Sequence, residues 1–144
     1  MYNASIITIS DKGFTGEIED ICGKYVTSLL KKDHFNIISY SIIPNLDKII
    51  EKNIIKCVSI YKVKLVIIIG FSSKVKSLLT NQIDSVNYAI DNILDDLKGE
   101  CIIGVMNKSM IISASENVYN NKGVFKNIIS ILLQGSNIIN LNEE

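Results

Sequence analysis

Five consecutive apolar residues, Leu65-Val66-Ile67-Ile68-Ile69, closed by Gly70, constrain this chain more than any other feature. An unbroken apolar run of that length reads as a strand buried on both faces. Such a strand belongs to a parallel sheet covered by helices on either side. Ala4–Ile9 is a second apolar run, ending in Ser10-Asp11-Lys12-Gly13, and Phe35–Ile43 is a third, stopped by Pro44. Between the runs, apolar residues recur at helical spacing: Ile18, Cys22, Tyr25, Val26 and Leu29, then Leu46, Ile50, Ile54, Cys57 and Tyr61. Glu17, Glu19 and Asp20 crowd the start of the first helix and Lys31 and Lys32 its end, as the helix macrodipole favours.

Phe71–Asp84 shows no long pattern. Val86–Leu97 is the clearest amphipathic helix, ending near Gly99. Cys101–Val105 and Met110–Ser113 read as two strands joined by a turn at Met106–Ser109. A final helix is expected over Lys122–Leu133, capped by Gly135, with Ile138–Leu141 as a short edge strand. Ile occurs 29 times, which blurs strand detection because β-branched residues then turn up in helices too. Strands alternate with helices, so the expected fold is α/β: one domain over 1–144, three α/β/α layers around a mostly parallel central sheet.

Composition excludes several function classes. Fifteen basic residues cancel fifteen acidic ones, which argues against a protein built to grip nucleic acid. No apolar run approaches the ~20 residues that cross a membrane. Met1–Ser10 lacks a basic start and a small-residue cleavage site, so the expected address is the cytoplasm. Cys22, Cys57 and Cys101 lie far apart and read as small buried hydrophobes, and the lone His34 cannot build a histidine-rich metal site. His34 also stands at a strand entry, the wrong edge of the sheet for a nucleophile's partner.

In a parallel sheet, ligands bind beyond the carboxyl ends of the strands. Three loops are expected there: Ser10–Gly16, Gly70–Ser73 and Ser113–Asn121. The first carries Gly13 and Gly16, which can turn backbone N–H groups outward, together with the Ser10 and Thr15 hydroxyls and the Lys12 cation. That set can cradle an anion, and the same spacing also occurs in ordinary turns. It is neither a dinucleotide fingerprint nor a Walker loop. Asp11 has two readings, an Asx-turn or a ligand contact.

The order of these segments resembles the MoaB/MogA family of molybdenum-cofactor biosynthesis. The resemblance rests on Ile6-Ile7-Thr8-Ile9-Ser10-Asp11 followed by Gly16-Glu17-Ile18-Glu19-Asp20-Ile21-Cys22-Gly23, similar to the family's strand ending in Val-Ser-Asp and its Gly-x-x-x-Asp-x-x-Gly stretch. Ile42-Ile43-Pro44, Leu65–Gly70 and Lys122-Gly123-Val124 match in register, so the likeness spans nearly the whole chain. It implies a molybdopterin-binding α/β fold that assembles as a trimer, with molybdopterin and Mg-ATP as substrates of an adenylyl transfer. The ligand-binding positions it implies are Ser10, Asp11, Gly13, Gly16, Asp20, Asn45, Gly70, Ser72 and Ser73.

The departures point the other way. The family's Thr-Thr-Gly-Gly-Thr-Gly loop reads Ile68-Ile69-Gly70-Phe71-Ser72-Ser73 here. The family Asp after the second-strand proline is Asn45, and a second family Asp falls at about Leu78. Loss of two carboxylates removes charge that a metal would want. Three readings therefore stand: a molybdopterin-binding adenylyltransferase-like protein, a catalytically silent relative acting as an oligomeric binding or scaffold protein, and an unrelated flavodoxin-like binder of similar strand order.

Overall fold

A computed structural model describes residues 2–79, 81–82, 94, 97 and 99–134. Its strands are β1 (Asn3–Ile9), β2 (Asn36–Ile43), β3 (Leu65–Ile69), β4 (Asn81–Gln82), β5 (Cys101–Met106) and β6 (Ser109–Ala114). Its helices are α1 (Asp11–Phe14), α2 (Ile21–Lys32), α3 (Asp47–Ile55), α4 (Ser73–Leu78), α5 (Glu116–Asn120) and α6 (Lys122–Gln134). They build one six-stranded sheet in the order β2-β1-β3-β6-β5-β4. β2, β1, β3 and β6 run parallel, whereas β5 is antiparallel to both its neighbours.

β3 sits at the centre and shows why its sequence is apolar throughout. Leu65, Ile67 and Ile69 enter one core cluster, with Val26 and Leu30 of α2, Tyr119 of α5 and Phe125 of α6. Val66 and Ile68 enter the other, with Ile50 and Ile54 of α3 and Val75 of α4. Side chains of a strand alternate between faces, so a strand covered on both sides can spare no polar position. Each fully buried Ile contributes on the order of 1.5–3 kcal/mol. The three-layer α/β/α arrangement expected from the sequence is therefore present.

Several boundaries differ from the sequence expectation. α2 begins at Ile21, not near Ile18, because the Asp20 carboxylate accepts the Gly23 N–H at 3.0 Å and caps the helix there. Ile18 consequently lies outside the helix, and Ile21 is 71% exposed. α3 runs straight into a π-turn, Lys56–Ile60, in which the Tyr61 N–H donates to the Lys56 carbonyl. The expected loop Ser113–Asn121 holds the end of β6 and the short helix α5. Of the helix expected over Val86–Leu97, only Leu94 and Leu97 are among the described residues. Leu94 is buried in the first core cluster and Leu97 packs against that cluster. The expected Gly135 cap and Ile138–Leu141 strand lie outside the described residues. No described helix is long and apolar enough to cross a membrane.

Candidate functional site at the carboxyl edge of the sheet

The register brings four strand ends level: Ile9 pairs with Ile43, Thr8 with Ile69, and Ile69 with Ala114. Every residue named from the sequence except Asp20 leaves from this edge. Ser10 continues β1 by donating its N–H to the Ile43 carbonyl at 2.9 Å. Its hydroxyl then accepts the Gly13 N–H at 3.0 Å and caps the single turn α1. Gly13 lies close to β2: a Cβ there would stand 3.2 Å from the Ile42 methyl. Gly16 follows at φ +82°, in the left-handed region.

The loops after β1 and β2 are tied together. Asp11 Oδ1 accepts the Asn45 N–H at 2.8 Å, so two positions 34 residues apart meet. The Asp11 carboxylate thus clamps the neighbouring loop through one oxygen. The loops after β1 and β3 touch as well. Gly70 has φ +129°, and a Cβ there would lie 3.1 Å from that of Ile9. Gly70 also donates its N–H to Ala114 O at 2.8 Å, and its carbonyl accepts the Ser113 hydroxyl at 2.7 Å. Ser72 caps α4 by accepting the Lys74 N–H at 3.2 Å, and Ser73 opens that helix.

The backbone of the first loop is largely self-satisfied. Phe14 N–H donates to Ser10 O, Thr15 to Asp11 O, Gly16 to Gly13 O and Glu17 to Lys12 O. The expectation of several N–H groups turned outward toward an anion is therefore met only in part. Lys12, Thr15, Glu17, Asn45 and Ser73 are exposed, and the Thr15 hydroxyl is already engaged by the Lys12 carbonyl at 3.2 Å and a Glu17 carboxylate oxygen at 3.0 Å. Phe14 and Phe71 are both exposed at this edge, as is Leu46.

Asp20 is buried in a separate polar cluster, whose other side-chain member, Tyr40, is 36% exposed. One carboxylate oxygen holds Gly23 N–H and the other accepts a short hydrogen bond from the Tyr40 hydroxyl of β2. A Cβ at Gly23 would collide with both side chains, so Asp20 and Tyr40 would have to move apart to admit one. Burial, together with the hydrogen bond to Asp20, pushes the Tyr40 phenol above its ordinary range. Burial, with the negative charges of Glu116 and Asp20, pushes the Cys22 thiol from 9.0 up to about 12. Thr8 contributes a buried hydroxyl with no hydrogen-bond partner. Sequence reading missed Tyr40, and it reached Ser113 and Glu116 only as members of the loop Ser113–Asn121. In the register, Tyr40 pairs with Ile6 and Ile42 with Thr8, so both lie on the face that α2 covers.

A metal fits poorly at this edge. Asn45 offers a neutral oxygen, and Leu78 packs against the second core cluster. Among the described residues, no group of three His, Cys, Asp or Glu could hold an ion.

No family model and no curated protein matches the chain. Solved structures do. The molybdopterin biosynthesis enzyme MoaB from Thermus thermophilus superposes with a TM-score of 0.76 at 18% identity, over 99% of this chain and 96% of that one. The tungsten cofactor synthesizing protein MoaB from Pyrococcus furiosus gives 0.74 at 20% identity, over 100% and 98%. The molybdopterin biosynthesis Mog protein from Mycobacterium ulcerans gives 0.74 at 16% identity, over 99% of each. At such identities the likeness is one of fold, and the chain has the MoaB/MogA fold. The flavodoxin-like alternative does not survive, because the sheet continues past β3 as the antiparallel β5–β6 hairpin.

Proposed function

We propose that this chain binds molybdopterin at the carboxyl edge of its sheet, as a member of molybdenum-cofactor biosynthesis. The observation that carries the reading is convergence: the loops holding Ser10–Gly16, Asn45 and Gly70–Ser73 meet at one edge, fastened by Asp11 to Asn45 and by Gly70 against Ile9. Its support in sequence is the retained Ser10-Asp11 and Gly16…Asp20…Gly23 pattern.

Two chemistries are compatible with that binding. The first is adenylyl transfer, in which a phosphate oxygen of the pterin attacks the α-phosphorus of ATP and pyrophosphate leaves. Here the protein's work is positioning and charge neutralisation. The second is binding without turnover, as an oligomeric carrier or scaffold. Three residues favour it: neutral Asn45, apolar Leu78 and bulky Phe71 beside Gly70. The donor set, with neutral Asn45 and apolar Leu78 at the two positions, does not suit a magnesium ion.

Calorimetry with molybdopterin and with Mg-ATP, followed by an assay for adenylylated pterin, separates the cases. Binding with adenylylated product establishes the transferase. Binding without product establishes the silent relative. Absence of heat with either compound at high micromolar protein overturns the pterin reading altogether. A Phe71→Gly variant that tightens binding would show that the side chain obstructs the ligand's path.

A further inference from the structure

β2 is the outermost strand of the sheet, and no described strand pairs with its far side. It is eight residues long, and none of Asn36–Ile43 is charged, proline or glycine. Lysines, prolines and very short lengths are common guards of a sheet edge, and β2 has none of them. It carries one irregularity: the register with β1 slips between Ile37 and Ser39, leaving Ile38 as an extra residue, 41% exposed. From Ser39 to Ile43 the pairing is regular. The Ile43 carbonyl accepts the Ser10 N–H and so faces β1. Backbone groups of a regular strand alternate in direction. Those of Ser39 and Ser41 therefore face β1 too, and those of Tyr40 and Ile42 point away from the sheet.

This edge matches itself. Ile37-Ile38-Ser39-Tyr40-Ser41-Ile42-Ile43 reads the same in both directions about Tyr40. Two copies laid antiparallel about a twofold axis at Tyr40 therefore set Tyr40 against Tyr40, Ser39 against Ser41 and Ile38 against Ile42. Aromatic, hydroxyl and β-branched pairs of this kind stabilise facing strands, and no like charges oppose one another. The centre of the palindrome also has the backbone direction such an axis needs. Facing residues exchange both hydrogen bonds only where their N–H and C=O groups point at each other, and those of Tyr40 point outward. A patch that is complementary to itself closes as a twofold pair, whereas any other partner would have to supply the matching pattern independently.

We propose that β2 pairs with β2 of a second copy of this chain, antiparallel about Tyr40, so that two sheets join into one across a twofold axis. A single pair of strands is a small contact beside the roughly 800 Å² per partner of a stable complex, so the pairing is weak, with a dissociation constant on the order of 1 mM. It uses the side of the sheet and does not rest on the function proposed at the carboxyl edge.

Hydrogen exchange and a spin label test it. The Tyr40 and Ile42 amides should exchange more slowly at about 1 mM protein than at about 10 µM. A nitroxide on unlabelled Asn36→Cys chain, mixed with ¹⁵N-labelled wild type, should broaden Ile42, Ile43 and Asn45 most and Asn36–Ile38 least, because the strands run in opposite directions. Asn36 is exposed and the native cysteines are buried, so the label attaches there. Ile38→Lys should weaken the pairing by about tenfold or more, Ile38→Thr should retain it, and both should still melt cooperatively. Broadening strongest at Asn36–Ile38, or absent from β2, would overturn the proposal. So would equal pairing by Ile38→Lys and Ile38→Thr. Exchange that is the same at both concentrations would overturn it too, and slow exchange at both would place a segment of the same chain, such as Ile138–Leu141, on this edge.

Discussion

Asp20 is 7% exposed and engages both carboxylate oxygens, one on Gly23 N–H and one on the Tyr40 hydroxyl. The smallest possible side chain at position 23 would break this arrangement. Gly23→Ala should lower stability by about 2–4 kcal/mol in urea unfolding, because relief of the collision strands a buried carboxylate. Cys22 beside it makes stability pH-dependent. The native thiol keeps its proton up to about 12, whereas the unfolded chain loses it near 9.0. Over that interval the unfolded state binds fewer protons, so stability falls as pH rises. Tyr40, also raised, adds to the decline above 10.0. Melting temperatures from pH 7 upward should hold steady and then drop beyond about 9, and Cys22→Ala should flatten the first part of the drop. The Gly16–Gly23 spacing was legible in the sequence as a pattern. Its physical content, a capped helix start with a tyrosine reaching across from β2, was not, because Tyr40 lies twenty residues from Asp20.

At the scale of elements, the apolar runs located every described strand except the short, polar β4. β3 matches its sequence limits and the β5–β6 hairpin falls within a residue of them. Helices of one turn or little more escaped notice. α1 and α5 hold four and five residues, too few to display a 3.6-residue period. α5 nevertheless matters. Tyr119 is fully buried, donates its hydroxyl to the Ile68 carbonyl at 2.8 Å and packs at a tilt with its ring centre 5.3 Å from that of Phe125. Tyr119→Phe should cost about 1 kcal/mol and lower the melting temperature by roughly 2–4 °C, while Tyr119→Ala should cost about 3–5 kcal/mol. The candidate site was legible as three separate loops. Their fastening to one another was not, since Asp11 meets Asn45 only through strand register.

For the whole molecule, the carboxyl edge is conspicuously apolar for a surface. Phe14, Ile18, Ile21, Leu46 and Phe71 are all about half exposed or more. With zero net charge, no long-range repulsion opposes contact between copies. We expect self-association through this edge, in line with the trimer implied by the sequence resemblance. Sedimentation equilibrium should return three times the chain mass of 16.0 kDa, and Phe14→Ser with Phe71→Ser should shift it toward one. A wild-type monomer would exclude the assembly.

β3 is flanked by β1 and β6 and roofed on both faces, with no residue of Leu65–Ile69 more than 1% exposed. Its amides can meet deuterium only when the sheet itself comes apart. Val66, Ile67 and Ile68 should therefore be the last positions to gain label, and their exchange rate in dilute buffer gives the free energy of complete unfolding without any denaturant.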